Sequence, residues 1–368
     1  MTVLQWVAAS LLTGDIIADL PGIELAGAPL AVTIGQIESV QMTLNLDDKT
    51  NPDWPLGTQP GGAVLVAYTG TGTSPSIVWG GIVTQRVRIP GSTQVQLACS
   101  TAEAYLDACP VGTYTATDLN QDTILQGLMA FAMGPNRPGW VLEHLPNAST
   151  QTQTVAYTPS SQTSVYAALQ ALSAVQGGPE WIAGWSWDVA ARTIVPTLTY
   201  GARIGQAVNA GAEPNVTIES ADLQAGSAFS EDYSPGMGAN QVTAYGSAAA
   251  NATSTDVPMA TATALDLQGR PLWAYGYQPN GTVTDPAILG LYAAQASARM
   301  QDGAQPLTMV IANDLVGKRL DTDWHIGDDI GWRIDGPAFP VPLSGVGRCI
   351  SYQADLATIT PILKGTDA

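Results

Sequence analysis

Lysine is almost missing from this chain, with Lys49, Lys318 and Lys364 the only three in 368 residues. All basic residues together number 13 against 31 acidic ones, a net charge of −18. Nucleic-acid affinity comes largely from Lys and Arg displacing counterions from phosphate, so this balance argues against a nucleic-acid-binding surface. An anionic membrane surface is disfavoured for the same reason. Histidine is as scarce: His144 and His325 are the only two, which makes a three-histidine metal site impossible. Cys99, Cys109 and Cys349 form neither a disulfide framework nor a zinc pattern, and fit synthesis in a reducing cytosol. Long apolar runs are lacking too. The stretch 163–175 is broken by polar residues well short of the ~20 residues a membrane span needs. Met1-Thr2-Val3-Leu4-Gln5-Trp6 shows no basic region followed by an apolar one, so no secretory signal is expected.

What is present points to β structure. The chain is 45% hydrophobic and only 12% charged, the latter about half the usual share. Gly (38) and Pro (25) make up about a sixth of it. That composition suits many short strands joined by turns, and the length suggests roughly two to three domains. One reading of the acidic excess is that it keeps a lysine-poor protein soluble; a functional use of the charge is the other.

Hydrophobic periodicity locates the elements. Residues 29–34 open an extended region carrying alternating Val40, Met42, Leu44 and Leu46, which breaks at the turn-rich stretch 47–53. Strands follow at Ala63 to Thr69 and Ile77 to Thr84, where Gly80 and Gly81 suggest a bulge or bend. Pro90-Gly91-Ser92-Thr93 reads as a hairpin turn into Gln94 to Cys99. The period then changes. A short helix is predicted at Thr101 to Leu106, a second from an Asp118 cap through Met133, and a third capped by Ser164 with Val165, Leu169, Leu172 and Val175 facing the core. Asn147 to Ser161 reads as a polar loop. Trp181, Trp185 and Trp187 share one side of a period-2 strand, which suits either packing or sugar stacking. A turn at Asp188 to Arg192 leads to Thr193 to Tyr200, and a last helix runs from Pro286 to Gln301, capped by Thr284 or Asp285 with Gly303 beyond its end. Gly81 to Arg88 with its returning strand echoes Gly345 to Tyr352 with its own, as a repeated barrel or a coincidence would.

Chemistry finds little foothold. Asp321-Thr322-Asp323-Trp324-His325-Ile326-Gly327-Asp328-Asp329 is acidic enough to suggest calcium. It lacks the glycine and glutamate that an EF-hand loop requires, and reads otherwise as a solvated turn. Gly-Xaa-Ser-Xaa-Gly, the P-loop and a complete dinucleotide fingerprint are absent, and Gly236-Met237-Gly238 is too short a match. Glycoside hydrolysis needs only two carboxylates, of which Glu180 beside Trp181 is the first to test; the plain reading is a glutamate that starts a strand. Asn147, Asn215, Asn251 and Asn280 begin Asn-Xaa-Ser/Thr triplets, expected by chance in so Ser/Thr-rich a chain. No catalytic, cofactor-binding or metal residue is assigned, no cofactor is expected, and the chain is read as a non-enzyme.

Several segments together resemble the tail hub proteins, or minor tail proteins, of long-tailed bacteriophages that infect actinobacteria. They are Trp79-Gly80-Gly81-Ile82-Val83, Leu97 to Leu106, Ser164 to Leu172 leading into Gly178-Pro179-Glu180-Trp181, Thr199 to Gly205, Ala239 to Gly246, and Gly327 to Leu363. The resemblance implies a mainly β fold with an α+β insertion: two small β-barrel-like, tail-tube-like domains plus a helix-containing domain. The corresponding boundaries are 1–109, 110–200 and 201–368, the last with an inserted helix near 285–302. It further implies a homotrimeric hub at the virion tail tip, assembled in the host cytoplasm, that adapts a hexameric tube and lines the DNA channel. Partners would be distal tail and tail-tube proteins, the tape measure protein and other tip or fibre proteins; DNA would pass without specific binding. No room for a fused lysin is expected before Ala368. A carbohydrate-binding β protein and a cell-wall glycan hydrolase are the competing readings.

Overall fold

A computed structural model describes residues 4–46, 51–70, 75–147, 149, 151–175, 177–209, 212–246, 258–264, 269–279, 285–304 and 306–365. The turn residues 47–50, the Thr284 cap, Asn251 and Asn280 lie outside them. The chain forms two compact units, residues 1–225 with 310–368, and 226–309. It is 46% strand and 16% helix, which makes it the mainly β protein expected.

The larger unit begins with a seven-stranded antiparallel sheet in the order Ile16–Asp19, Gln5–Ser10, Ala63–Thr69, Ser76–Arg88, Gln94–Ser100, Ser39–Asn45, Ile23–Leu25. Val40, Met42 and Leu44 alternate inward as their period-2 spacing requires. Ala63 to Ala67 are all fully buried, so this central strand is covered on both faces. On one face Val7, Val64, Val66 and Ile82 pack with Ile194, Trp185 and Trp187 of a later hairpin; beyond the other, Trp6 meets Trp79 edge-on at 6.3 Å. Gly80 and Gly81 do not form the bulge. The register shifts flank them, and the two glycines instead clear space for indoles: a Cβ on Gly80 would stand 2.3 Å from Trp185, and one on Gly81 2.2 Å from Trp79. The hairpin turn closes as expected, with the Ser92 amide donating to Ile89 O at 3.0 Å and Gly91 at φ +80°.

The helices Glu103–Asp107, Gln121–Met129 and Val165–Ser173 pack with Tyr114–Asn120 and Thr152–Tyr157, an antiparallel pair, and with a three-stranded sheet ordered Val141–His144, Thr193–Gly201, Glu180–Asp188. Asn120, not Asp118, caps the second helix, its side chain accepting the Asp122 amide at 2.8 Å; Asp118 sits in the preceding strand at φ +50°. Met129 ends that helix, and Ala130–Ala132 continue as a 3₁₀ turn. Ser164 caps the third helix, but Val175 falls past its end and is 41% exposed. Thr152–Tyr157 corrects the polar-loop reading: its side chains are too hydrophilic to signal a strand, and pairing with Tyr114–Asn120 creates one.

The second large sheet has Thr217–Glu219 parallel to Asp329–Gly336, followed by antiparallel Phe339–Ala354, Thr358–Gly365 and Ile311–Ala312. Leu30–Thr33 joins it from the far end of the chain, pairing antiparallel with Ser351 to Ala354. The two echoing segments, 81–88 and 345–352, fall on the long strands Ser76–Arg88 and Phe339–Ala354. Both bed a tryptophan on glycine, Trp79 on Gly81 and Trp332 on Gly345.

In the smaller unit, Gln241–Tyr245 lies between Met259–Thr263 and Ala274–Tyr277, and Pro286–Met300 packs on that sheet. Asp285 caps the helix by accepting the Ala287 amide at 2.8 Å, and Gly303 beyond its end holds φ +80°. Only Leu289, Ala293 and Ser297 of the helix are buried, a stripe of i, i+4 spacing.

Candidate functional site

Two of the chain's few cations, Arg203 and Arg348, are partly buried in ion pairs, and they mark the structural site of most interest. Glu180, at the start of its strand, receives Arg348 through both guanidinium prongs, Nη1 to Oε1 at 2.6 Å and Nη2 to Oε2. Its Oε2 also accepts the Ile204 amide at 2.8 Å. Arg348 Nη2 donates as well to Ile204 O at 2.8 Å, and Nε to Gly327 O at 3.2 Å. One turn away, Arg203 pairs with Asp329, whose other oxygen accepts the Val208 amide at 2.8 Å. Asp328 accepts the amides of Gln206 at 2.7 Å and His325 at 2.8 Å. The result is a clasp that ties residues 203–208 to the hairpin start and to the second large sheet. Close backbone contact requires glycine here: Gly205 (φ +76°) and Gly327 (φ +93°) lie so near that a Cβ on either would stand 2.0 to 2.3 Å from the other loop.

These contacts revise two readings of the acidic residues. Glu180 has its oxygens occupied by a guanidinium and an amide, so its role is to join segments. The stretch 321–329 is not a solvated turn throughout, since Asp328 (8% exposed) and Asp329 (7%) are buried and paired. Its carboxylates point to different donors, and among the described residues no group of three or more His, Cys, Asp or Glu is placed to hold a metal. Burial pushes the Asp328 carboxyl up, but the His325 side chain and the Gln206 and His325 amides outweigh it, leaving it below the ordinary 3.8. His325 is raised above 6.5 by Asp328, with burial opposing.

The tryptophan stripe is packing. Trp181 is 2% exposed and meets Tyr166 edge-on at 5.9 Å. Trp185 lies over Gly80, and Trp187 meets Tyr68 edge-on at 4.8 Å. Of the glycosylation triplets, Asn147 donates to Arg203 O at 2.8 Å and Asn215 to Gln206 Oε1 at 3.2 Å.

A cleft of about 700 Å³ borders the clasp, with Glu143, Asp321, His325 and Asp328 on its walls and Ile182, Thr199 and Ile204 between them. It carries acids and a histidine but no lysine or arginine lining. Sequence reasoning missed the clasp because its partners come from four distant segments. One signal was available: where cations number 13 in 368, each one set within an apolar strand, as Arg348 is, needs a specific partner.

No family model matches the sequence, and no curated protein matches it. The fold, by contrast, is that of phage tail proteins. The 43 kDa tail protein of prophage MuSo2 from Shewanella oneidensis aligns over 98% of both chains with a TM-score of 0.51 at 14% identity. A chain of the lidless PdpA–VgrG complex aligns with all of this chain at a TM-score of 0.52 and 8% identity, over 67% of its own length. In the half-lidded Francisella PdpA–VgrG complex the TM-score is 0.51 at 8% identity, and this chain spans 60% of that one.

Proposed function

We propose that this chain is a structural protein of a phage tail tip, where three copies form a hub that adapts the hexameric tail tube to a three-fold tip and lines the DNA channel. The carrying observation is that the correspondence to the MuSo2 tail protein extends over 98% of both chains, so the whole polypeptide, and not one module, shares the tail-protein fold. Two large sheets per chain support the hub reading, because three copies would present six to a six-fold tube. Residues 1–109 and 201–368 would supply the two barrel-like halves and 110–200 the insertion. Two short edge strands, Ile23–Leu25 on the first sheet and Thr217–Glu219 on the second, have outer edges that suit extension by neighbours, whereas Ile311 is bridged by Leu223 and the Ile16 amide donates to Arg192 O.

Charge fits the same role. Arg203, Lys318 and Arg348 are spent on Asp329, Asp222 and Glu180, and Arg137 donates to Phe131 O. Each of these three ion pairs removes one charge of either sign, so the net charge of −18 stands, and a wall of fixed negative charge repels passing phosphate instead of binding it. Partners in this reading are distal tail and tail-tube proteins, the tape measure protein and tip or fibre proteins, in a virion tail assembled in the host cytoplasm, with no catalytic task. Light scattering on the purified protein tests the copy number. A mass of about 115 kDa, three times 38.2 kDa, is expected; a 38.2 kDa species at every concentration, with no uptake by tube subunits, would overturn the reading.

A further inference from the structure

Glu103 opens the short helix Glu103–Asp107 and is 1% exposed. Its Oε1 accepts the Ala183 amide at 3.2 Å. Glu180–Asp188 is an edge strand of its sheet, so this bond ties a free edge amide to the end of the seven-stranded sheet, just past Ser100. The other oxygen, Oε2, is buried with no hydrogen-bond partner among the described residues. Leaving a buried carboxylate oxygen unmatched is costly when the group is charged and much less so when it is neutral. Thr101, Ala102 and Ala183, which surround the carboxyl in the chain and through that bond, also line a cavity of about 210 Å³ shared with Trp79, Trp185, Asp321 and Tyr352.

We propose that Glu103 is a proton-operated latch: neutral, it seats the Glu180–Asp188 strand against the seven-stranded sheet, and ionised, it draws water in by way of the adjoining cavity and loosens that strand. The charged groups around it favour this behaviour. Glu38, which exchanges backbone and hydroxyl hydrogen bonds with Thr101, adds a like charge. Asp321 and the Tyr352 phenol stand on the cavity wall, and the Tyr352 hydroxyl is held by Val78 O at 2.7 Å. Of the acids on the strand itself, Glu180 is engaged by Arg348 and Asp188 lies at the far end. Desolvation dominates and pushes the Glu103 carboxyl from 4.5 up to about 7; Thr101 and the amides of Glu103 and Ala183 oppose the push, and Glu38 assists it. The folded chain then holds a proton that the unfolded chain releases. Stability from this group is complete below pH 4.5 and is lost as pH rises toward 7.

The test compares urea unfolding of the full chain with Glu103→Gln and Asp321→Asn between pH 4.5 and 8.5. The wild-type ratio of folded to unfolded chain should fall relative to Glu103→Gln by about a hundred-fold across that range. Asp321→Asn should keep that fall, and exchange of the Ala183 amide should accelerate over the same interval beyond its intrinsic pH dependence. Parallel curves for wild type and Glu103→Gln would overturn the latch, as would a fall abolished by Asp321→Asn alone. If Glu103→Gln does not fold, carbon-detected titration of the wild-type carboxyl decides: a midpoint near 7 supports the latch and one near 4.5 overturns it.

Discussion

Arg348 and Glu180 stand 168 positions apart and close a two-pronged ion pair. Arg348 comes from the middle of the long strand Phe339–Ala354, while Glu180 begins the hairpin of the helical insertion. Their side chains are 19% and 30% exposed, so the pair is only partly screened by water. Breaking it from one side leaves a charge without its partner. Arg348→Ala should lower the unfolding free energy by about 2–4 kcal/mol and Glu180→Gln by about 1–2 kcal/mol. The double variant should lose less than the sum of the two, as urea midpoints will read directly.

Gly80 is the second point of strict fit. Its alanine variant would place a Cβ 2.3 Å from Trp185, which must move. A cost of about 1–3 kcal/mol is expected, together with a changed tryptophan emission spectrum. Gly91→Ala makes the matched control. Its Cβ meets nothing within 4 Å, so any loss there reports only the φ of +80°.

The tryptophan stripe separates a packing role from a glycan-binding one. Trp181→Ala should cost about 3–5 kcal/mol by opening a cavity among the helices. Trp187→Ala should cost less, since its contact with Tyr68 lies nearer the surface. Calorimetry with cell-wall polysaccharide should show no binding by the wild-type chain that either change removes.

His325 and Asp328 titrate in opposite senses. The raised pKa of His325 means that its contribution is full below pH 6.5 and is lost as pH rises through the folded value. The lowered pKa of Asp328 means that its contribution is present above 3.8 and is lost as pH falls below it. Thermal midpoints should therefore show the wild-type advantage over His325→Ala fading toward alkaline pH. The advantage over Asp328→Asn should fade only in acid.

Local patterns carried most of the strand positions into the sequence reading. Ala63–Thr69 was legible because an apolar run and its flanking glycines define it, and Ser164 because a hydroxyl before an apolar helical stripe is a cap. Asp118 misled for a physical reason: Asp and Asn both cap helices, and strand pairing with Thr152–Tyr157 extended the preceding segment by two residues. That pairing, the insertion of Leu30–Thr33 beside Ser351 to Ala354, and the Glu180–Arg348 clasp are all contacts between distant positions. Local propensity holds no record of them. Glu103 was hidden likewise, because a glutamate at a helix start is ordinary on a surface and unusual only once three neighbouring segments bury it.

Three-fold assembly is tested most directly by electron microscopy of the purified full chain. A closed ring of three subunits with a central channel wide enough for a DNA duplex, about 20 Å across and lined by acidic side chains, is the expected result. Single subunits, or rings whose central wall is basic or sealed, would contradict it.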